Sequence, residues 1–348
     1  MPNQLNVEHV SVKYGRQTVV DDVSFALQRG VIGCLLGPSG CGKTSLLRAI
    51  AGFEPLAKGE IQLDGRCVSS PGETLAPEKR RVGMVFQDFA LYPHLNIEEN
   101  IAFGLRGQNH TQRRQRVRSL LDLVGLSGSE RKYPHQLSGG QQQRVALIRA
   151  MAPQPDILLL DEPFSGLDVE LREQLAREVR DILKREEVTA ILVTHDQLEA
   201  FALADAIGVL GEGRLRQWDS GYSLYHTPKD RFVADFIGQG AMVPGRVTQD
   251  GDIQSPLGRI KGAFVDPPIA GETVELLLRP DDVIHDDQSE FKLQIVDKVF
   301  QGAEYLYTLL LEDGTEILCL VQSHHDHEIG EMLGIRLFVD HVVAFPTV

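Results

Sequence analysis

The segment GPSGCGKT at residues 37–44 constrains this chain more than any other stretch of its sequence, because it fits the pattern G-x-x-x-x-G-K-[ST]. An almost wholly apolar run at 31–36 precedes it, and Leu46, Leu47 and Ile50 follow at helical spacing. Glycines allow backbone N–H groups to converge on a phosphate at the positive end of a helix. The pattern predicts a phosphate-binding loop between a buried strand and a helix, rather than a plain glycine-rich turn.

Within this loop, Lys43 is predicted to reach the β- and γ-phosphates of a nucleotide, and Thr44 to ligate Mg²⁺. A second apolar run, at 157–160, leads directly into Asp161 and Glu162. A carboxylate that ends a buried parallel strand lies beside the ligand crevice of an α/β sheet. We therefore expect Asp161 to hold Mg²⁺ through its water shell and Glu162 to polarise a water for attack on the γ-phosphate. The alternative is an acid pair that stabilises a helix dipole.

Two further positions follow the same logic. A third apolar run, at 190–194, ends at His195, which is expected to hydrogen-bond the γ-phosphate or to orient the attacking water, although an isolated histidine is more often structural. Ser138 is a good helix N-cap, and Gly139 and Gly140 behind it leave backbone amides open to an anion. For this last segment the sequence leaves open both a second phosphate site and an ordinary capped helix.

Apolar strands that alternate with helical segments in the first two thirds of the chain predict a parallel α/β sheet. Beyond residue 240 the pattern changes to short β-type runs with a hairpin turn at 312–315, which predicts a small barrel or sandwich. The charge changes at the same place. Residues 1–239 carry 30 acids and 28 bases, whereas residues 240–348 carry 19 acids and 7 bases. We therefore expect a near-neutral domain joined to an acidic one, whose charge serves solubility rather than sensing.

Composition excludes several classes of protein. No stretch of 18 or more residues lacks charge, which argues against a membrane span, and the first residues lack the pattern of a signal peptide. The four cysteines are sparse and unpatterned, as expected in a reducing cytosol. A pI of about 5.3 argues against electrostatic attraction to nucleic acid or anionic lipid.

Residues 137–141, LSGGQ, resemble the signature motif of ATP-binding cassette (ABC) ATPases, and the other motifs occur in that family's order over residues 4–238. The resemblance implies a P-loop NTPase core at 1–238, with a parallel sheet, an antiparallel β subdomain and a helical subdomain at about 88–152. A small all-β, OB/TOBE-like regulatory domain is expected at 239–348. The motifs in order are Tyr14, the loop at 37–44, Gln87 in VFQDFALYP, LSGGQ, Asp161 and Glu162, the segment at 165–168, and His195.

The same resemblance implies an ATPase that uses ATP and Mg²⁺ in a head-to-tail dimer. It assigns catalysis to Glu162, His195 and Gln87, and Mg²⁺ binding to Thr44, Gln87 and Asp161. ATP is expected to contact Tyr14, which stacks on adenine, together with Gly37, Pro38, Ser39, Gly40, Cys41, Gly42, Lys43, Thr44 and Ser45. The residues expected to contact ATP of the second subunit are Ser138, Gly139, Gly140, Gln141 and Asp168.

In such ATPases the segment after Gln87 meets integral membrane permease subunits. The apolar residues there are expected to form an exposed cluster at that interface, with burial in the helical subdomain as the alternative; they are Phe89, Leu91, Tyr92, Pro93 and Leu95. The resemblance places the chain as a peripheral protein on the cytoplasmic face of the plasma membrane. A periplasmic binding protein is an indirect partner, and no nucleic acid is expected.

The acidic tail and the segment LRPDDV at 278–283 resemble the regulatory β domains of importer ATPases, and residues 91–105 and 232–247 resemble ferric-ion importers most. We expect import of ferric ion, with sugar, polyamine or sulfate as alternatives. A soluble ABC ATPase in DNA repair or translation is the alternative from another class. The chain has neither the long coiled-coil insertion of the repair proteins nor the two cassettes of the translation proteins.

Two remaining features have competing interpretations. The segment SHHDHE at 323–328 could bind a metal through His324, His325 and His327, but adjacent residues of a strand or turn point in different directions, so a polar turn is favoured. Cys41 lies in the phosphate loop, where a helix N-terminus can lower a thiol pKa. We expect Cys41 to fill space.

Overall fold

The structure is a computed structural model that describes residues 3–105, 107–166, 169–261, 263–264, 269–339 and 341–347. The chain divides into two compact units, Met1–Gly221 and Tyr222–Val348. Asp168, expected at the dimer interface, lies outside the described residues. Among the described residues, no helix combines the length and the apolar character needed to cross a lipid bilayer.

The N-terminal unit contains eleven strands and six complete α-helices among its described residues. Its strands are β1 Asn3–Tyr14, β2 Gln17–Gln28, β3 Ile32–Leu36, β4 Lys58–Leu63, β5 Arg66–Ser70, β6 Glu73–Thr74, β7 Val82–Val85, β8 Ile157–Asp161, β9 Ala190–Thr194, β10 Ala206–Gly211 and β11 Arg214–Asp219. Its helices are α1 Lys43–Ala51, α2 Ile97–Ala102, α3 His110–Leu123, α4 Gly139–Met151, α5 Val169–Arg185 and α6 Gln197–Leu203.

A six-stranded sheet with the order β11-β10-β3-β9-β8-β7 forms the centre of this unit. All its neighbours pair in parallel except β10 and β11. Every residue of β3, β8 and β9 is buried, because helical crossovers cover both faces of a parallel sheet. Leu36 pairs with Thr194 and Asp161 with Val193, so the three strands end at the same level. The predicted α/β core is confirmed.

A second sheet, with the order β2-β1-β4-β5-β6, is antiparallel throughout. The helices α2, α3 and α4 fall within the segment 88–152 that was expected to form the helical subdomain. Side-chain capping boxes begin all three helices, at Asn96, Asn109 and Ser138. Each box satisfies N–H groups that a helix start would otherwise leave unpaired.

The C-terminal unit is built almost wholly of strands. Its strands are β12 Ala241–Val247, β13 Ile253–Ser255, β14 Gly258–Ile260, β15 Ala263–Phe264, β16 Thr273–Leu278, β17 Val283–His285, β18 Lys292–Phe300, β19 Glu304–Leu310, β20 Glu316–Gln322, β21 Met332–Leu337 and β22 His341–Pro346. They form two sheets, β14-β13-β12-β16-β22-β15 and β17-β21-β18-β19-β20, around one apolar core. Gly314, at φ +87°, closes the expected hairpin between β19 and β20. The all-β prediction is confirmed.

The boundary between the compact units differs from the expected one at 238/239. The helices α7 Gly221–His226 and α8 Arg231–Phe236 are near-neutral in charge, yet they belong almost entirely to the acidic C-terminal unit. Buried Ala234 of α8 packs with Leu277 and Val343. Buried Arg279 donates hydrogen bonds to the carbonyl oxygens of Tyr225, Gly238 and Gln239 at 3.2, 2.9 and 3.1 Å. The boundary between the compact units, at 221/222, therefore comes earlier in the chain than the change to an acidic sequence near residue 240.

Arg80 is a buried cation that holds the N-terminal unit together. Only 3% of it is exposed, and its guanidinium donates to the carbonyl oxygens of Leu75, Ala49, Ile50 and Val68 and to Ser69 Oγ at 2.6–3.0 Å. These bonds join the end of α1 to β5. Burial lowers the pKa of Arg80 to about 10. This pKa is still well above neutral pH, and the side chain therefore remains charged there.

Replacing Arg80 with Met is expected to lower the free energy of unfolding of the N-terminal unit by about 3 kcal/mol, because it leaves buried carbonyl oxygens without donors. Trp218, the only tryptophan, stacks on Phe25 at 4.5 Å, so its fluorescence during urea unfolding reports on this unit. Arg81→Met is the control: its side chain is 69% exposed in a surface ion pair, and a loss below about 1 kcal/mol is expected. If Arg80→Met and Arg81→Met lower the free energy of unfolding equally, the buried hydrogen bonds of Arg80 do not stabilise the unit as proposed.

Candidate active site

The loop at 37–44 has a backbone that only glycine accommodates at two positions. A Cβ on Gly37 would lie 2.3 Å from the carbonyl oxygen of Leu210, and a Cβ on Gly42, at φ +101°, would lie 2.4 Å from that of Val19. The buried Lys43 Nζ donates to the carbonyl oxygens of Gly37 and Pro38 at 2.8 and 2.9 Å. The ammonium is therefore held across the loop that was predicted to bind phosphate.

Helix α1 begins with its positive end open. Gly42 occupies the N-cap without a side-chain hydrogen bond, and no acidic residue lies in the first turn. A free helix N-terminus of this kind attracts anions through its unpaired N–H groups and its dipole. The buried thiol of Cys41 lies 3.7 Å from Lys43 Nζ and is the side chain that a Cβ on Gly37 would approach at 2.8 Å. Cys41 thus fills space beneath the loop.

A hydroxyl and a carboxylate meet between the start of α1 and the end of β8. Thr44 Oγ1 donates to Asp161 Oδ1 at 3.0 Å, although the residues are far apart in the sequence. Burial raises the pKa of Asp161, while the bond from Thr44 acts in the opposite direction. A hydroxyl and a carboxylate side by side are the hard oxygen donors that Mg²⁺ takes, so these residues fit the ion expected from the sequence.

Glu162 and His195 follow the ends of the neighbouring strands β8 and β9 and face each other there. His195 Nδ1 lies 3.5 Å from Glu162 Oε1, with 53% of the histidine side chain and 25% of the glutamate side chain exposed. Glu162 adopts φ +43°, and its amide donates to the carbonyl oxygen of Val193 at 2.9 Å. A left-handed backbone at a non-glycine residue costs about 1–3 kcal/mol and is often found at functional sites. This backbone turns the carboxylate out of the sheet towards His195.

The segment around His195 is held by residues that the sequence analysis did not identify. Thr194 Oγ1 donates to Glu199 Oε2 at 2.5 Å and accepts from the Asp196 amide at 3.0 Å. Asp196 caps α6 and forms an ion pair with Arg172 of α5 at 3.0 Å. Asp196 was readable as a helix cap from the sequence. The role of Arg172 could not be predicted from the sequence, because its ion pair with Asp196 depends on how α5 packs against α6.

Tyr14 lies beside the start of α1. Its hydroxyl donates to Ser45 Oγ at 3.4 Å, and much of the ring is exposed. An exposed aromatic ring next to the phosphate loop can stack on a base without reading its hydrogen-bonding edge.

The segment at 138–141 forms a capping box at the start of α4. Ser138 Oγ accepts from the Gln141 amide at 3.4 Å, and Gln141 Oε1 accepts from the Ser138 amide at 3.1 Å. Ser138 and Gly139 are exposed, whereas Gly140 is buried against Leu175. Within the described part of the chain, neither Ser138 nor Gln141 bonds to the phosphate loop of its own subunit. Exposed Gln87 likewise makes no hydrogen bond to the described site residues.

The apolar residues after Gln87 are less exposed than expected. Of Phe89, Leu91, Tyr92, Pro93 and Leu95, only Pro93 is exposed, and the others are half-buried. The cause is fully buried Asn100. Its amide donates to the carbonyl oxygens of Tyr92 and Leu95 and accepts from the Tyr92 N–H, all at 2.9–3.1 Å. Phe103 is also exposed, and its ring packs on Tyr92 with ring centroids 4.5 Å apart.

Comparisons with known proteins agree with this geometry. The ABC transporter family model matches residues 20–165, and the TOBE domain model matches residues 263–345. The sulfate/thiosulfate import ATP-binding protein CysA 2 of Chromobacterium violaceum is 46% identical over 283 residues, which are 80% of this chain and 76% of that protein. With its phosphate loop, its paired carboxylates and its all-β C-terminal unit, the chain belongs to the ABC transporter ATPase family and carries a TOBE domain.

Proposed function

We propose that the chain is the ATP-hydrolysing subunit of a binding-protein-dependent ABC importer. The observation that carries the proposal is the meeting of two side-chain pairs at one edge of the central sheet. These are Thr44 with Asp161 at 3.0 Å and Glu162 with His195 at 3.5 Å. One pair offers oxygen ligands for a cation and the other an acid–base pair open to solvent. Family membership and the import ATP-binding relative support the same conclusion.

ATP binding uses the open end of α1. The backbone N–H groups of residue 37 and residues 39–45 and the Lys43 ammonium bind the phosphates, and Tyr14 stacks on adenine. Lys43 leaves the carbonyl oxygens of Gly37 and Pro38 as it turns to the nucleotide. Thr44, Asp161 and Gln87 hold Mg²⁺, which neutralises charge on the phosphate oxygens when it is bound.

Hydrolysis uses the second pair. Glu162 accepts a proton from a water whose oxygen attacks the γ-phosphorus, while the bond from that phosphorus to the bridging oxygen breaks and ADP leaves. His195 orients the water and the γ-phosphate. Thr194, Asp196 and Arg172 restrict the His195 backbone and so fix this orientation. Gln87 reaches the same water from its exposed position after β7.

A second copy of the chain completes each site. Ser138, Gly139, Gly140 and Gln141 contact the γ-phosphate held by the partner's loop, and Asp168 couples the two sites. The support for this proposal is that Ser138 and Gly139 are exposed and do not serve the phosphate loop of their own subunit. Because ATP bridges the two subunits, its binding closes the dimer and its hydrolysis opens it.

The dimer's motion is passed to integral membrane permease subunits through the segment after Gln87. Phe103, 47% exposed, packs on Tyr92, and Asn100 holds the Tyr92 and Leu95 backbone through hydrogen bonds. Phe103 and the exposed Pro93 are the apolar residues that contact the permease. An exposed apolar patch on a polar surface typically marks a protein interface. We therefore propose that the chain is a peripheral subunit at the cytoplasmic face of the membrane, in an importer served by a periplasmic binding protein.

Glu162→Gln is expected to keep ATP binding, to lower the rate of phosphate release at least ~100-fold, and to trap the ATP-bound dimer. Binding of a fluorescent ATP analogue, phosphate release and light scattering measure these three properties. Glu187→Gln is the matched control, because Glu187 is exposed and has a similar φ of +51° away from the site. Undiminished hydrolysis by Glu162→Gln would rule out its role as the base.

Ser138→Asp is expected to bind ATP normally but to lose hydrolysis at least ~100-fold, because a negative charge is placed against the γ-phosphate across the dimer interface. Ser138→Asn is the matched control. Asp and Asn cap helices about equally well, so the pair differs in charge while the start of α4 is preserved. Equal hydrolysis by the two variants would show that charge at position 138 does not meet the nucleotide.

Two solutes have specific support. The relative that is 46% identical imports sulfate or thiosulfate by its name, and that similarity extends over 80% of this chain. Ferric ion is supported by residues 91–105 and 232–247, which resemble ferric-ion importers. The similarity to the sulfate/thiosulfate importer covers more of the chain, and we therefore favour sulfate or thiosulfate over ferric ion.

In a strain that lacks the importer's ATPase, this chain is expected to restore uptake of radiolabelled sulfate, but not of ferric ion. Both solutes are measured with the permease and binding protein present. Glu162→Gln serves as the inactive control, because it assembles without turnover. If the chain restores ferric uptake but leaves sulfate uptake at the level of the strain without the ATPase, the solute is ferric ion rather than sulfate. That result would leave the assignment as an importer ATPase intact.

A further inference from the structure

Three histidine rings meet in the C-terminal unit, which contains none of the nucleotide motifs. His285 ends β17, while His325 and His327 lie in the segment that follows β20. The His285 ring centroid lies 5.0 Å from that of His325 and 5.2 Å from that of His327. One ring nitrogen from each histidine lies within 4.8 Å of those of the other two. We propose that these side chains bind a divalent first-row transition-metal ion, with Zn²⁺ as its probe.

Carboxylates orient two of the rings. His285 Nε2 lies 3.0 Å from Asp287 Oδ1, and His327 Nδ1 lies 3.4 Å from Glu331 Oε2. A carboxylate that takes the N–H of an imidazole leaves the lone pair on the other ring nitrogen, which is how metal-bound histidines are normally held. In each of the two rings, the nitrogen away from the carboxylate is thus available for a metal.

A buried nitrogen without a partner is the second observation. His327 Nε2 is buried and has no hydrogen-bond partner among the described residues. A buried polar atom left without a partner is costly, so proteins rarely retain one without a reason. A metal ion bound to His327 Nε2 removes that cost.

The backbone of the segment is fixed before any ion binds. The Tyr307 hydroxyl, fully buried, donates to the carbonyl oxygen of His325 at 3.0 Å and accepts from the His327 amide at 2.9 Å. Lys298 Nζ donates to the carbonyl oxygen of His327 at 2.9 Å and pairs with Asp326. These bonds direct the alternate residues 325 and 327 to one side, so little ordering is required on binding.

The donor set selects the kind of metal. Imidazole nitrogens suit Zn²⁺, Cu²⁺, Ni²⁺ and Fe²⁺, whereas Mg²⁺ and Ca²⁺ require oxygen ligands. Zn–N bonds of about 2.0–2.1 Å place tetrahedral ligands about 3.4 Å apart. Rotation of the exposed His325 ring together with small shifts of the other two rings would close the remaining distances, and a water would take the fourth position. Asp326 is not offered as a ligand, because it is paired with Lys298.

This set differs from the one considered from the sequence. His324 is exposed and lies outside the cluster, and His285 takes its place. Adjacent residues do point in different directions, as expected, but the packing of β17 beside β20 adds a ligand from elsewhere in the chain. A bound ion would tie β17 to the segment after β20 and so stabilise the C-terminal unit.

The test uses the full-length chain, free of any histidine tag, stripped with a chelator and without nucleotide or Mg²⁺. Zn²⁺ titration by calorimetry is expected to show one ion bound per chain, and Co²⁺ to give the visible absorption of a nitrogen-ligated tetrahedral site. His285→Gln and His327→Gln are each expected to weaken Zn²⁺ binding at least ~100-fold, and Asp287→Asn about 10–100-fold. Zn²⁺ should raise the melting temperature of the unaltered chain but not of these histidine variants.

His324→Gln is the matched control, because it changes the neighbouring exposed histidine. It is expected to bind Zn²⁺ as the unaltered chain does. Unchanged far-UV circular dichroism and unchanged basal ATPase activity in the His285 and His327 variants separate loss of the ligand from loss of the fold. The proposal is overturned if the unaltered chain binds no Zn²⁺ stoichiometrically, or if His324→Gln weakens binding as much as His285→Gln. Neither result bears on the nucleotide site.

Discussion

The parallel pairing of β3, β9 and β8 is the constraint on which the nucleotide site depends. Leu36 pairs with Thr194 and Asp161 pairs with Val193. The three strands therefore end at the same level, and the segments that follow them start at the same edge of the sheet. β8 and β9 are neighbouring strands about 4.8 Å apart, which brings Glu162 and His195 within reach of each other. Thr44 reaches Asp161 by another route, because α1 packs against β8 and β9. Residues from three distant segments therefore form two side-chain pairs, Thr44 with Asp161 and Glu162 with His195.

The site is prepared before the nucleotide arrives, and this preparation has energetic costs. Glu162 has a left-handed backbone, and burial raises the pKa of Asp161. The fold offsets these costs with bonds that lie outside the site. The Glu162 amide bonds to the carbonyl oxygen of Val193, and Arg172 anchors Asp196 next to His195. In the C-terminal unit the same principle applies, since Tyr307 holds the backbone of His325 and His327.

Much of this was predictable because the signals are local. The apolar runs of β3, β8 and β9, the glycines of the loop and the cap at Ser138 each depend on residues close together in the chain. The structure differs from the sequence-based expectations where distant residues decide the outcome. The apolar residues after Gln87 were expected to be exposed, but Asn100 draws Tyr92 and Leu95 into the helical subdomain. The boundary near residue 238 followed the charge, whereas α8 packs with Leu277 and Val343.

The sequence by itself determined the class of fold, the phosphate loop and the order of the site motifs, because periodicity and motif spacing are properties of contiguous segments. Only the tertiary structure decided which side chains meet. His285 joins His325 and His327 because the edge strands β17 and β20 of one sheet pack together, and Arg172 reaches Asp196 from another helix. Such contacts depend on the register and packing of whole elements, and a short stretch of sequence carries no information about either.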